Sequence, residues 1–328
     1  MEGSSNHQKD SKKKAITFSQ LCNLYIKYEY QRLKPTTAYN RKRLVIKHIL
    51  PRFPDIDVTH LTMNDFTRFR KYLLSLKETS LPELVLMTIR QIFDYLNLYY
   101  EIDIKFPKLL LPVKNDVIQR EPRSVSSIPL EDIHKMYLRY NDFYRIYLML
   151  TLMYGLRISE VRGITLSSFD FNNDFIYIYK QLTSKTGSGK SIVLSPKSAS
   201  SQRKMLLFPK MKSYVLQYIE KYALIDDQYL LFQSKKHKDL GIGETTIRTY
   251  LREIEKRYSL NHYAPHQLRH TISTYLSDNG IPSELAGKFL GHKKNVTLDV
   301  YIDIGQNYLK KIYSLLDNLF DMITQEKE

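Results

Sequence analysis

The chain has 328 residues, 43% of them hydrophobic and 26% charged, so it holds material for about two packed domains and is not a disordered polymer. Lysine and arginine number 50 against 34 acidic residues, and the net charge of +16 points to a polyanionic partner. No run of about 18 apolar residues marks a membrane span, the polar start has no apolar signal core, and the single Cys22 excludes a disulfide framework or multi-cysteine metal site. A cytoplasmic location is expected. Residues 1–14, ending in Lys12-Lys13-Lys14, read as a disordered basic arm with no folded domain ahead of the first helix. Phe18, Leu21, Tyr25 and Tyr28, spaced by three and four, predict a helix running to about Leu33. A second begins at Thr36 and carries Tyr39, Leu44, Ile46 and Ile49 before Pro51. A third opens at Thr62, whose N-cap hydroxyl and Asp65 three residues on make a short-acid capping box, and buries Phe66, Phe69, Tyr72 and Leu73. A fourth, about Leu81 to Tyr100, carries Leu84, Met87, Ile89, Ile92, Phe93 and Leu96. Residues 15–106 thus form one helical domain.

The polar faces of that domain are basic. Lys34, Arg41, Lys42, Arg43 and Lys47 surround the second helix, and Arg68, Arg70 and Lys71 lie on the third. Two such clusters in so small a unit suit a surface facing phosphates. Residues 107–127, with Pro107, Pro112, Pro122, Lys114 and Arg120, read as an extended basic linker. A second domain, residues 128–310, starts a helix at Ile128-Pro129-Leu130, followed by an apolar helix over Tyr144–Leu152. Phe175–Tyr179, Ser191–Leu194 and Lys204–Phe208 predict one small antiparallel sheet, after which the pattern is helical almost to the end. Residues 311–328 form a C-terminal helix with an apolar stripe of Ile312, Leu315, Leu316, Leu319, Phe320 and Ile323. The fold class is mainly α with a small antiparallel β-meander.

Three separated segments carry the chemistry. They are Gly155-Leu156-Arg157-Ile158-Ser159-Glu160, His266-Gln267-Leu268-Arg269-His270-Thr271, and Leu290-Gly291-His292 followed nine residues later by Tyr301. In order and spacing they resemble the tyrosine recombinase (phage integrase) family. The resemblance covers the second domain closely and the first in general shape, and implies a helical core-DNA-binding domain joined to a catalytic domain that closes on duplex DNA.

Metal-free phosphodiester transfer needs fixed cations on the non-bridging oxygens, where negative charge grows in the transition state, and arginine offers a planar fork that stays protonated. Arg157 and Arg269 are the candidates for that clamp. The resemblance implies that His266 and His292 hydrogen-bond the same phosphate, that His266 assists removal of the nucleophile's proton, and that Tyr301 attacks to leave a 3′-phosphotyrosyl bond. It also implies a lysine on the β-meander as proton donor to the leaving 5′-oxygen. Lys185, Lys190 and Lys197 are open, and Lys197 is favoured because Pro196-Lys197-Ser198 with Arg203 six residues later resembles the hairpin of integrases from mobile elements. Glu160 is expected to orient an arginine or histidine. The DNA-contact candidates are Arg41, Lys42, Arg43, Lys47, Arg68, Lys71, Lys114 and Arg120. No metal and no cofactor is expected.

The implied function is site-specific recombination for integration or excision of a mobile element. The implied partners are double-stranded DNA with paired core sites and, on that DNA, a homotetramer whose protomers are monomers off DNA, with an accessory directionality or bending factor as a further partner. The C-terminal stripe is expected to dock on a neighbouring protomer. Alternatives are a chromosome or plasmid dimer resolvase and a non-catalytic DNA-binding relative.

Overall fold

A computed structural model describes residues 15–76, 80–100, 102, 104–108, 127–183, 192–194, 202–291 and 305–325. The chain divides into two compact units, Met1–Arg120 and Glu121–Glu328.

In the first unit, helix α1 (Phe18–Arg32) starts at a capping box in which the Thr17 N–H donates to Gln20 Oε1 and the Gln20 N–H to Thr17 Oγ1. Helix α2 (Pro35–Leu44) has proline in its first turn, where the missing N–H costs nothing. It continues as one π-helical turn, Val45–Ile49, and a short 3₁₀ turn, Leu50–Arg52. The wide turn puts Val45, His48 and Ile49 inside and leaves Ile46 exposed, which corrects the expected register of that helix. Helix α3 (Met63–Ser75) opens as expected, with the Thr62 N–H and hydroxyl both donating to Asp65 Oδ2 at 2.8 and 2.7 Å. Those bonds hold the Asp65 carboxyl below its ordinary pKa. Helix α4 (Leu81–Tyr100) turns Ile89, Ile92, Phe93 and Leu96 inward but leaves Leu84 and Met87 exposed. The core is aromatic, with Phe18 against Phe53 at 4.7 Å between ring centroids and Phe66 against Phe93 at 5.8 Å.

The second unit begins with α5 (Leu130–Arg139), whose N-cap is Pro129, and α6 (Asp142–Tyr154), buried from Ile146 to Tyr154. A short α7 (Ile158–Gly163) leads to strands β1 (Phe169–Asp170), β2 (Phe175–Ile178), β3 (Gln181–Thr183), β4 (Ile192–Leu194) and β5 (Arg203–Leu206). The three runs expected to form one sheet are divided between two. β5 and β1 flank β2, while β4 pairs with β3 in a separate hairpin. Next come α8 (Pro209–Tyr222), a further hairpin of β6 (Phe232–Ser234) and β7 (His237–Gly241), α9 (Glu244–Arg257), α10 (Pro265–Asp278), α11 (Ser283–Phe289) and α12 (Gln306–Thr324). The β6–β7 hairpin interrupts what the sequence reads as unbroken helix. Its strands are too short and too polar to show an alternating pattern.

The C-terminal helix α12 packs in its own unit. Leu309, Ile312, Tyr313, Leu316, Leu319, Phe320 and Ile323 are buried in the core shared with α5, α6 and α8. The Leu206 N–H donates to the Tyr313 hydroxyl at 2.8 Å, His134 Nδ1 donates to the Ile323 carbonyl at 2.9 Å, and Lys210 pairs with Asp317 and Asp321. The stripe expected to dock on a neighbour is therefore covered in cis, because the apolar side chains of α5, α6 and α8 lie within the same unit. Among the described residues, no helix is long and apolar enough to cross a membrane.

Candidate active site

The site is built where α6 ends. Helix α6 stops at Gly155 with φ of +57°, a left-handed C-cap conformation, and the chain turns straight into Arg157, the N-cap of α7. Glu160 is the third residue of α7. Its Oε2 accepts the Arg157 backbone N–H at 2.9 Å, as in a capping box, and its Oε1 accepts the Arg157 guanidinium at 2.7 Å. One carboxylate thus caps a helix and holds an arginine.

Two more arginines reach the same carboxylate from distant segments. Arg203, first residue of β5, lies 3.5 Å from Glu160 Oε2, and Arg269, on α10, lies 4.0 Å from it. Arg269 also donates to the carbonyls of Gly155 and Leu290, tying all three sequence segments together. Arg203 reaches the Tyr154 carbonyl at 3.4 Å. Two cations therefore take consecutive carbonyls at the C-terminal end of α6, where carbonyls lack helical partners and the dipole favours positive charge.

Among the described residues, three guanidinium groups surround one carboxylate, an excess of two positive charges in a largely dry place. Burial alone would raise the Glu160 pKa, but Arg203, Arg157 and Arg269 hold it below its ordinary value. Burial pushes Arg269 down to about 9, helped by Arg203 and Arg157 and opposed by Glu160. An excess of fixed positive charge of this kind is the electrostatic condition of an anion receptor. The degree of exposure separates them. The side chain of Arg157 is 30% exposed and that of Arg269 8%, whereas that of Arg203 is 0% exposed.

His266 is exposed in the first turn of α10, three residues before Arg269 and so on the neighbouring helical position. The α10 start is anchored by Thr271, whose hydroxyl accepts the Ile128 N–H and donates to the Gln267 carbonyl, both at 2.8 Å. His270 is exposed beside Thr274 at 3.3 Å. His292, Tyr301, Lys197 and its alternatives Lys185 and Lys190 lie outside the described residues, as do Lys114 and Arg120. The sequence presents Arg203 only as a companion of Lys197. The available signal was its place on the apolar face of β5, alternating with buried Met205 and Leu207, where an arginine requires a carboxylate partner.

On the first unit, Lys42, Arg43, Lys47 and Lys71 are exposed. Arg68 is exposed and ion-paired with Asp65. Arg41 is half-buried and donates to Tyr25 and Gln91, so its guanidinium is engaged within its own unit. Among the described residues, no three His, Cys, Asp or Glu side chains gather as a metal site.

The phage integrase family model matches residues 130–307, and the model of the phage integrase N-terminal SAM-like domain matches residues 17–74. Tyrosine recombinase XerA of Pyrococcus horikoshii is 24% identical over 234 residues, 70% of each chain. Tyrosine recombinase XerC of Staphylococcus aureus is 26% identical over 279 residues, 79% of this chain and 84% of the relative. Among solved structures, the Tn1549 transposon integrase in complex with transposon right end DNA superposes with a TM-score of 0.65 at 19% identity, covering 92% of this chain and 99% of that one. A lambda integrase dimer bound to a COC′ core site superposes with a TM-score of 0.59 at 16% identity, covering 85% and 96%.

Proposed function

The chain belongs to the phage integrase family of tyrosine recombinases, and on that premise we propose that it is the integrase of a mobile element, cutting and rejoining duplex DNA at specific sites through a 3′-phosphotyrosyl intermediate. The observation that carries the reading is the convergence of Arg157, Arg203 and Arg269 on Glu160, two positive charges in excess among the described residues. A phosphodiester supplies one negative charge on binding, and the pentacoordinate transition state places more charge on the same oxygens. Fixed guanidinium donors stabilise the second state more than the first, which is what accelerates the step.

In this reading Arg157 and Arg269 hold the non-bridging oxygens, with His266 and His292 as further donors. The Tyr301 phenolic oxygen attacks phosphorus as its proton passes to His266. The bond to the 5′-oxygen breaks, and Lys197 protonates that leaving group. A tyrosyl phosphodiester replaces a nucleotide phosphodiester, so the 5′-hydroxyl of a second strand can reverse the step without an external energy source. Lys42, Arg43, Lys47 and Lys71 contact backbone phosphates, and exchange takes place in a tetramer on two duplexes.

The Pro196-Lys197-Ser198…Arg203 segment supports a mobile-element integrase. The XerA and XerC names of the curated relatives favour a second reading, resolution of chromosome or plasmid dimers. Sequencing the DNA that flanks the gene separates them, since paired repeats at an element's ends are expected only for the first. The catalytic reading is tested on a nicked duplex that loses its cleaved end. The wild-type protein should become covalently joined to the 3′ end, and Tyr301→Phe should bind the same DNA without forming the adduct. An adduct that survives Tyr301→Phe removes the nucleophile assignment.

A further inference from the structure

We propose that Arg203 is a positioning residue for strand cleavage, holding Glu160 and the end of α6 in the one arrangement that leaves the Arg157 and Arg269 guanidinium groups available to a phosphate. This rests on the recombinase reading.

Exposure decides what Arg203 cannot do. With its side chain 0% exposed, it cannot touch a DNA phosphate without unpacking the unit, whereas Arg157 at 30% can. Its position decides what it does. Glu160 Oε2 faces three donors, namely the Arg157 backbone N–H at 2.9 Å, Arg203 at 3.5 Å and Arg269 at 4.0 Å. Arg203 and Arg269 also share the end of α6, one on the Tyr154 carbonyl and the other on that of Gly155. Coulomb attraction at these separations in a dry interior is strong, so the position of the carboxylate is set by where its cations stand. Take Arg203 away and one wall of that arrangement goes. Among the described residues, the carboxylate is then balanced by the two arginines of the clamp and draws their donors toward itself, away from the position a phosphate occupies. The net charge of the cluster also falls from two to one.

The consequence is a defect in chemistry rather than in DNA affinity, because the Arg203 side chain is fully buried and does not itself reach the duplex. Arg203→Met is close in volume and removes the charge. Single-turnover cleavage of the nicked duplex should slow by about a hundredfold, the scale on which a misplacement of one ångström costs rate, with the dissociation constant for DNA unchanged within about threefold. Glu160→Gln in the same background removes the carboxylate that draws the clamp toward itself, so the double variant should cleave well above the product of the two single effects. Arg203→Lys, which keeps the charge but loses the planar fork, should fall between wild type and Arg203→Met.

Additive effects of Arg203→Met and Glu160→Gln, or a loss of affinity equal to the loss of rate, would overturn the proposal. Should Arg203→Met fail to fold, the cycle is run with Arg203→Lys, and a smaller non-additivity of the same sign is required. A wild-type protein that forms no adduct at all would sink the recombinase reading itself, whereas a normal wild-type adduct with an additive cycle sinks only the role given to Arg203.

Discussion

Gly155 and Leu290 occupy the same corner of the second unit, and the absent side chain of one leaves room for the other: a β-carbon at Gly155 would overlap Leu290 Cδ2. The glycine also holds φ at +57°, which L side chains rarely adopt, while its carbonyl and that of Leu290 both accept from Arg269. Gly155→Ala should therefore cost about 1–2 kcal/mol for the left-handed backbone and about 1–3 kcal/mol for overpacking, read as a lower denaturation midpoint. Cleavage should fall with it, since Arg269 loses its seat. An unchanged midpoint would mean that Leu290 yields freely.

The general acid can be identified by its leaving group. Lys197→Ala should slow cleavage by about 10²–10⁴-fold. A substrate with sulfur at the 5′-bridging position should restore the rate, because a thiolate departs without a proton. Rescue in Lys185→Ala or Lys190→Ala, and not in Lys197→Ala, would move the role.

Salt dependence tests the basic face of the first unit. The exposed Lys42, Arg43 and Lys47 should each neutralise one phosphate, so replacing all three with alanine should shrink the slope of log affinity against log salt by about 2–3. Arg41→Ala should leave that slope alone and lower stability instead, because its guanidinium bonds Tyr25 and Gln91. Fluorescence anisotropy across a salt series reads the first effect and denaturant titration the second. A slope that the triple variant does not change would place the DNA elsewhere.

The C-terminal helix supplies core to its own unit. Leu316→Ala should cost about 2–5 kcal/mol, as for a fully buried leucine. Tyr313→Phe, which strips the acceptor from the Leu206 N–H, should cost about 1–3 kcal/mol. With the stripe closed in cis, the unfolding midpoint of the free protein should not depend on protein concentration. A midpoint that rises with concentration would show a second chain covering the stripe.

Local pattern alone was enough for much of this protein. The stripes of α1 and α3, the existence of α4, the Thr62–Asp65 cap, the apolar α6 and three short motifs in order are all readable within windows of a few residues, because helical periodicity and capping are local physics, although Leu84 and Met87 of α4 turn outward. The π turn at Val45–Ile49, the division of the strands between two sheets and the β6–β7 hairpin needed the folded chain. Each depends on which neighbour supplies the missing hydrogen bonds or covers the apolar side. The cluster itself is the clearest case. Arg157 and Glu160 are three residues apart and legible together, but Arg203 joins Glu160 across 43 residues and Arg269 reaches Gly155 across 114. Charge segregation acts through space, and only the packed unit determines which arginine is buried and which one stays part-exposed.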